Sequence, residues 1–258
     1  MIRAMLLPLA AALACSACAD PDAARRFFAQ GAPANGPEGD FGLHRREADG
    51  VVVLKDPRPC GDLGEYHLRS GVVIPLALTA PHVGHDLHTG ALVATLFAGT
   101  NAAAAAWNTA PRSAAGECTG IDLADAPDHL FTRFALGFAD RFPSGLVVQL
   151  HGFDGDLRAS ARAGEAAMIV SDGASAPDRR TLALADCLSI ALSPSEVLVY
   201  PLDTSDLGAT SNAQGKALRE AGKAGFVHLE LSQSLRAELL ADSGLQGRFG
   251  RCLTEAAT

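Results

Sequence analysis

The sequence contains few aromatic residues and shows no excess of basic ones. Phenylalanine, tryptophan and tyrosine make up 5% of the 258 residues, and alanine is abundant, so the helices should be rich in small side chains. The formal net charge is -8 and no basic stripe stands out, which argues against a nucleic-acid binder. Beyond the N-terminus, no apolar run is long enough to cross a membrane.

Two common catalytic or metal-binding signatures are also missing. The chain has no Gly-x-Ser-x-Gly nucleophile elbow, which argues against a serine esterase, although His151-Gly152 after an apolar run also occurs in oxyanion loops of that class. Cys-x-x-Cys occurs only at Cys15 and Cys18. Neither a zinc–thiolate knuckle nor a thioredoxin motif is therefore expected.

The N-terminus has the features of a targeting segment. Arg3 is followed by a short apolar run from Ala4 to Ala14, and small residues surround Cys15 and Cys18. This pattern is typical of a cleaved signal peptide, and it resembles a bacterial lipoprotein box at either cysteine. We expect residues 1–18 to direct export to the periplasm, with a lipid anchor on Cys15 or Cys18 as the contact with the membrane.

Four cysteines remain beyond this segment, at positions 60, 118, 187 and 252. An even number of cysteines in an exported protein predicts two disulfides, for which three connectivities exist. Of these we favour Cys60–Cys118 with Cys187–Cys252.

Composition and periodicity predict how the rest of the chain is organised. Residues 19–50 are rich in Ala, Gly, Pro and charge and are interpreted as a tether or irregular lead-in, whereas residues 51–258 suffice for a single α/β domain. Apolar runs alternate with helical patterns, which predicts a mainly parallel, mixed sheet with helices on both faces. Within it, we expect a long helix over Thr89–Trp107 and a hairpin between Tyr66–Arg69 and Val72–Leu78.

Three apolar runs that should form buried strands end in metal-ligating or acid/base side chains. The loop after the first run contains His82, His85, Asp86 and His88, the second run leads to His151, and the third ends in Glu230. Imidazole and carboxylate at the carboxyl ends of strands suit zinc or another divalent metal. We therefore expect the three strand ends to form one shared site.

Other side chains are candidates for holding a substrate. Asn108 and Arg112 follow one another within a turn, Arg158 comes shortly after His151, and Arg236 follows Glu230. Arginine suits recognition of a carboxylate. Desolvation of Glu230 within its apolar run would raise its pKa towards the range of a general base.

The order of these motifs along the chain resembles the poly-γ-glutamate hydrolase family of zinc enzymes, which is related to zinc carboxypeptidases and N-formylglutamate amidohydrolases. The resemblance lies in His82-x-x-x-Asp86, Asn108-x-x-x-Arg112, Leu-His151-Gly and Leu-Glu230-Leu-Ser-x-x-Leu-Arg236. It implies a zinc-carboxypeptidase-like fold.

The resemblance also implies roles for these residues. His82, Asp86 and His151 become the zinc ligands, with His85 as an alternative to Asp86, and Glu230 becomes the general base. Asn108, Arg112 and Arg236 become the residues that hold the substrate.

The expected function is zinc-dependent hydrolysis of an amide bond of the peptide, γ-glutamyl or N-acyl amino acid type, in a small-molecule or peptide substrate that carries a carboxylate. The alternative is a non-catalytic lipoprotein that binds a metal or another ligand.

Overall fold

A computed structural model describes residues 21–258, and the fold is organised around one mixed sheet. The predicted signal peptide, including Cys15 and Cys18, lies outside the described residues. Among residues 21–258, no helix has both the length and the apolar character needed to cross a membrane.

Nine strands of the described chain form this sheet. They are β1 (His44–Ala48), β2 (Val51–Lys55), β3 (Glu65–Arg69), β4 (Ile74–Ala80), β5 (Ala102–Trp107), β6 (Leu146–Gly152), β7 (Met168–Ser171), β8 (Val197–Val199) and β9 (Phe226–Leu231). Their spatial order is β1-β2-β3-β5-β4-β6-β9-β7-β8.

The four central strands β5, β4, β6 and β9 run parallel to one another. On one side, β1, β2 and β3 add antiparallel pairs, and on the other side β7 pairs antiparallel with β9 and parallel with β8. The predicted mixed sheet is confirmed, with its parallel pairing at the centre and at the β7–β8 edge.

Eight helices of the described chain accompany the sheet. They are α1 (Pro21–Ala29), α2 (Thr89–Gly99), α3 (Leu130–Arg141), α4 (Ala161–Glu165), α5 (Arg179–Ala191), α6 (Ala213–Glu220), α7 (Gln233–Ala241) and α8 (Ser243–Ala257). α2, α5, α7 and α8 contribute to the hydrophobic core on one face, and α1, α3 and α6 contribute to the core on the other. The prediction of helices on both faces is confirmed.

The alternation of side chains along β6 determines which of them lie on the face of the sheet that carries the site. Leu146, Val148 and Leu150 pack in the core beneath α2, α5, α7 and α8. Because successive side chains of a strand point to opposite faces, Gln149 and His151 lie on the face covered by α3 and α6. In the parallel register with β9, Gln149 is opposite His228 and His151 is opposite Glu230.

The alanine-rich stretch departs from its predicted conformation. The expected helix over Thr89–Trp107 ends at Gly99, and Ala102–Trp107 forms β5. Alanine favours helices in isolation, but tertiary packing overrides that weak preference here. The side chains of Ala102–Ala106 are at most 2% exposed, because β5 is a central strand with helices on both faces.

The prediction of a hairpin between β3 and β4 is also wrong, because β5 occupies the place between them in the sheet. β5 lies between these two strands, pairing antiparallel with β3 and parallel with β4. At the end of the chain, α7 follows β9 and α8 follows α7.

Residues 21–50, expected to form part of a tether or irregular lead-in, contribute a helix and a strand to the fold. In α1, Phe28 is buried, with ring centroids 5.2 Å from Tyr66 and 5.3 Å from Phe134. The Arg25 guanidinium pairs with Asp140 of α3. β1 extends the sheet by pairing with β2. The aromatic side chains of α1 therefore belong to the core, which a solvated tether would not need.

Two disulfides connect distant parts of the chain. Cys60 and Cys118 link the loop after β2 to the loop after β5, and Cys187 and Cys252 link α5 to α8. Both pairings agree with the prediction.

Candidate metal centre and active site

The carboxyl ends of β4, β6 and β9 open into a pocket of about 730 Å³. These strands are adjacent and parallel, so the segments that follow them meet at one edge of the sheet. The pocket walls include His82, Asp86, His151, Arg158, His228 and Glu230. The three strand ends that were singled out in the sequence are thus brought together.

Two histidines and one aspartate form a buried cluster at the floor of the pocket. One Asp86 oxygen, Oδ2, lies 3.4 Å from His82 Nδ1 and 3.3 Å from His151 Nδ1. All three side chains are buried, and one candidate ligand atom from each lies within 4.8 Å of the others. We refer to His82, Asp86 and His151 as the triad.

The backbone of the loop after β4 places two members of the triad side by side. The amide of Asp86 donates to the carbonyl of His82 over 2.7 Å, which closes one turn and puts both side chains on the same side. His85 lies between them but is exposed, and His88 is exposed as well. Of the two alternatives left open by the sequence, the structure groups Asp86 with the two histidines.

Each triad histidine has a hydrogen-bond partner on its outer nitrogen. His82 Nε2 lies 2.7 Å from Asp122 Oδ1, and His151 Nε2 lies 2.9 Å from Gln149 Oε1. Arg112 Nε donates to the other Asp122 oxygen over 2.7 Å. Partners of this kind orient metal-ligating histidines in proteins.

Sequence reasoning missed both of these partners. Asp122 lies in a long loop and carries no signal in its local pattern. Gln149 does carry a signal in the sequence, because it is a polar residue within the apolar run before His151. In the structure its side chain is fully buried.

Glu230 lies beside the triad on β9, together with His228. The Nε2 atom of His228 is 3.5 Å from Glu230 Oε1. His228 forms a second group of candidate ligands with His151 and Glu230. The period of two along β9 already placed His228 and Glu230 on one face, and the structure shows that this face is turned towards the pocket.

The electrostatics of the pocket shift the pKa values of Glu230 and Asp86 in opposite directions. Burial raises the pKa of Glu230 to about 8, and the negative charge of Asp86 adds to the effect, against opposing contributions from Arg158, Arg236 and Arg112. Burial also acts to raise the pKa of Asp86, but the interactions of its carboxylate with the His151 and His82 rings outweigh burial, and the pKa falls below its ordinary value.

Burial lowers the pKa of His151 and of His228, which favours the neutral form of both rings. Neutral imidazole is the form that ligates a metal.

The four candidate substrate residues fall into two groups. Arg112 and Arg158 line the pocket. Asn108 is buried outside it, where its side chain bonds to the backbone of Ile121 and Ala110 and so shapes the loop after β5. Arg236 is also buried, and its Nη1 donates to the Leu87 carbonyl over 2.9 Å. Sequence spacing did not reveal that Asn108 and Arg236 bond to backbone carbonyls rather than face the pocket.

The donor atoms of the site fit a divalent cation. His82 Nδ1, His228 Nδ1 and Glu230 Oε2 are buried without a hydrogen-bond partner. Buried polar atoms of native proteins are normally satisfied. His82, Asp86 and His151 each offer one ligand atom within 4.8 Å of the others, and two imidazole nitrogens with one carboxylate oxygen form a ligand set that suits zinc.

No protein-family model matches this chain, and no curated protein matches it significantly. Similar solved structures include YndL in a zinc-free form, at 15% identity and a TM-score of 0.38 over 82% of this chain and 89% of that one. A candidate metallopeptidase from Shewanella denitrificans OS217 has 13% identity and a TM-score of 0.43, with 83% and 86% covered. A succinylglutamate desuccinylase from Silicibacter sp. TM1040 has 16% identity and a TM-score of 0.43, with 80% and 69% covered. At these values the likeness assigns neither a family nor an activity to this chain.

Proposed function

We propose that this protein is a metal-dependent hydrolase of amide bonds. The observation that carries the proposal is the position of Glu230. It is a buried carboxyl group with a raised pKa, directly opposite His151 in the register of two parallel strands. A metal-storage site needs ligands alone, whereas a hydrolase also needs a group that moves a proton beside them.

His82, Asp86 and His151 are the residues that hold the cation, and zinc suits this set. Bound there, zinc supplies Lewis acidity, which lowers the pKa of water and polarises a carbonyl. We also propose that the chain is related to the poly-γ-glutamate hydrolases and shares the fold of the zinc carboxypeptidases.

Glu230 is the general base. It takes the proton from the attacking water and delivers it to the nitrogen of the departing amine. The Glu230 carboxyl ionises more readily once the charge of Asp86 is neutralised, because that charge is one of the causes of its raised pKa. Burial of Glu230 also keeps bulk water from competing for the proton.

Arg158 and Arg112 give the pocket its preference for a substrate with a carboxylate. Arg158 Nε bonds to the backbone carbonyl of Asp154, and its guanidinium lines the pocket. Arg112 is held by Asp122 and adds a second positive charge. Peptides, γ-glutamyl amides and N-acyl amino acids all place a carboxylate near an amide, and they form the proposed substrate class. The two disulfides suit the oxidising periplasm, where we propose that a lipid anchor holds the protein.

The decisive experiment is metal analysis of the purified protein and of two alanine variants. We expect about one zinc per chain in the wild type and little in His82→Ala and His151→Ala. His85→Ala is the matched control, because it removes an exposed imidazole from the same loop. Equal and negligible metal in all four proteins would contradict the proposal.

Catalysis is tested separately with Glu230→Gln on a panel of amides. We expect the variant to retain its metal and to lose hydrolysis by a factor of about 10² to 10⁴, which is typical of a missing general base. Chelator should abolish the activity of the wild type. If the wild type binds metal but cleaves no amide in the panel, the non-catalytic binder is the better description.

A further inference from the structure

A chain of buried side-chain amides runs from His151 into the interior. His151 Nε2 lies 2.9 Å from Gln149 Oε1, and Gln149 Nε2 donates to Gln214 Oε1 over 2.9 Å. Gln214 Nε2 then donates to the Leu123 carbonyl and to Thr132 Oγ1, each over 2.8 Å. Gln149, Gln214 and Thr132 are at most 1% exposed.

The Leu123 carbonyl fixes the direction of every hydrogen bond in this chain. A carbonyl can only accept, so Gln214 must turn its NH₂ group towards Leu123 and its oxygen towards Gln149. Gln149 must then donate from Nε2 to that oxygen. Its own Oε1 is left facing His151, which must donate from Nε2.

Asn212 establishes the same direction from a second, independent point. Its Oδ1 accepts from the backbone amide of Gly215 over 3.0 Å, and a backbone N–H can only donate. The NH₂ group of Asn212 therefore faces Gln149 Oε1, at 2.5 Å. Two backbone groups in different elements thus require Gln149 to present its oxygen to His151.

The consequence concerns the other nitrogen of the His151 ring. With the proton on Nε2, Nδ1 carries a free lone pair, and this atom lies 3.3 Å from Asp86 Oδ2. Without Gln149, the better hydrogen bond for the ring would be Nδ1–H to the Asp86 carboxylate. Gln149 and Asp86 thus compete for one proton, and its position decides whether Nδ1 can ligate a cation.

We propose that Gln149 is a positioning residue, oriented by Gln214 and Asn212, that holds the His151 proton on Nε2 and keeps Nδ1 open for the cation. This inference rests on the proposed function for its purpose, but the position of the proton does not depend on any bound metal.

The test combines ¹⁵N NMR of the His151 ring in chelated protein with zinc affinity from competition with a chromophoric chelator. In the wild type we expect the proton on Nε2. In Gln149→Leu we expect a shift to Nδ1–H and zinc binding weakened about 10- to 100-fold, as for other hydrogen-bond partners of metal ligands.

Two further variants serve as rescue and control. Gln149→Glu keeps a side-chain oxygen of the same reach towards His151, so the Nε2–H tautomer should be retained and zinc affinity should stay within about threefold of wild type. Thr79→Val is the control. It removes a buried hydroxyl that bonds to the Val148 carbonyl in the neighbouring strand, outside the chain of amides, and it should leave the zinc affinity unchanged.

An Nδ1–H tautomer in the chelated wild type would overturn the inference, whether or not the variants fold. It would also be overturned by a folded Gln149→Leu variant with an unchanged tautomer and unchanged zinc affinity. Failure of the proposed function is distinguishable, because absence of amide cleavage with the expected tautomer and zinc affinities would leave the inference intact.

Discussion

The buried carboxyl of Glu230 should lower the stability of the metal-free protein at neutral pH. Its pKa is about 8 in the folded chain and 4.5 ordinarily, with burial as the main cause. A carboxyl group with a raised folded pKa contributes full stability below pH 4.5 and loses it as the pH rises towards 8. Above pH 4.5, the unfolded chain gains free energy by ionising a group that the folded chain keeps protonated.

The loss in the free energy of unfolding depends on how far the pH lies above 4.5, the ordinary pKa of the group. Each unit corresponds to ~1.4 kcal/mol, so the loss is about 3 kcal/mol at pH 7 and about 1 kcal/mol at pH 5. Glu230→Gln keeps the shape of the side chain but does not ionise. We therefore expect its stability relative to wild type to rise by about 2 kcal/mol between pH 5 and pH 7.

The assay is urea unfolding in chelator at pH 5 and pH 7, followed by the fluorescence of Trp107, the only tryptophan in the chain. Comparing variant and wild type at each pH cancels the titration of other groups. Glu238→Gln, which makes the same substitution in an exposed position of α7, is the matched control. If Glu230→Gln and wild type differ in their free energy of unfolding by the same amount at pH 5 and pH 7, this account of Glu230 is refuted.

Two other predictions concern the links between distant segments. Hydrogen bonding to Arg25, with a further contribution from Lys223, lowers the pKa of Asp140 to about 2, so stability from this group is present above pH 3.8 and lost as the pH falls towards 2. Asp140→Asn should thus cost about 1–2 kcal/mol at pH 7 and little at pH 2, measured by urea unfolding at both values; equal losses would contradict the ion pairs as the cause. Replacing Cys187 and Cys252 by serine should cost up to about 4 kcal/mol, because the disulfide closes a long loop. Reductant should then have less effect on the double variant than on wild type in the same assay, and an unchanged unfolding midpoint would contradict the prediction.

The sequence predicted the parts of the site that lie at the ends of buried strands. An apolar run bounded by polar residues identifies a strand, and the carboxyl ends of parallel strands in an α/β sheet meet at one edge. His151 and Glu230 could therefore be placed together although they lie on different strands. Asp86 was named with His85 as its alternative, and only burial within the folded loop separates the two.

The sequence could not predict the roles of residues that act through long-range contacts. Asn108 and Arg236 have the right chemistry for binding a substrate, yet each bonds to a backbone carbonyl of another segment. Asp122 and Gln214 hold the site together from a loop and a helix that local patterns do not connect to it. Periodicity reports which face of an element is buried, but it does not report which element covers that face.

The sequence by itself determined the apolar strands that carry the site, the polar residues at their ends and the cysteines available for pairing, because these depend on neighbours within a few residues. The tertiary structure decided that the alanine run is β5 rather than part of a helix, since a central position in the sheet outweighs a local preference. It also decided the direction of the hydrogen bonds around His151. That direction is imposed by the Leu123 carbonyl, which orients Gln214, and by the Gly215 amide, which orients Asn212. Gln214 and Asn212 contact Gln149 only when the chain is folded.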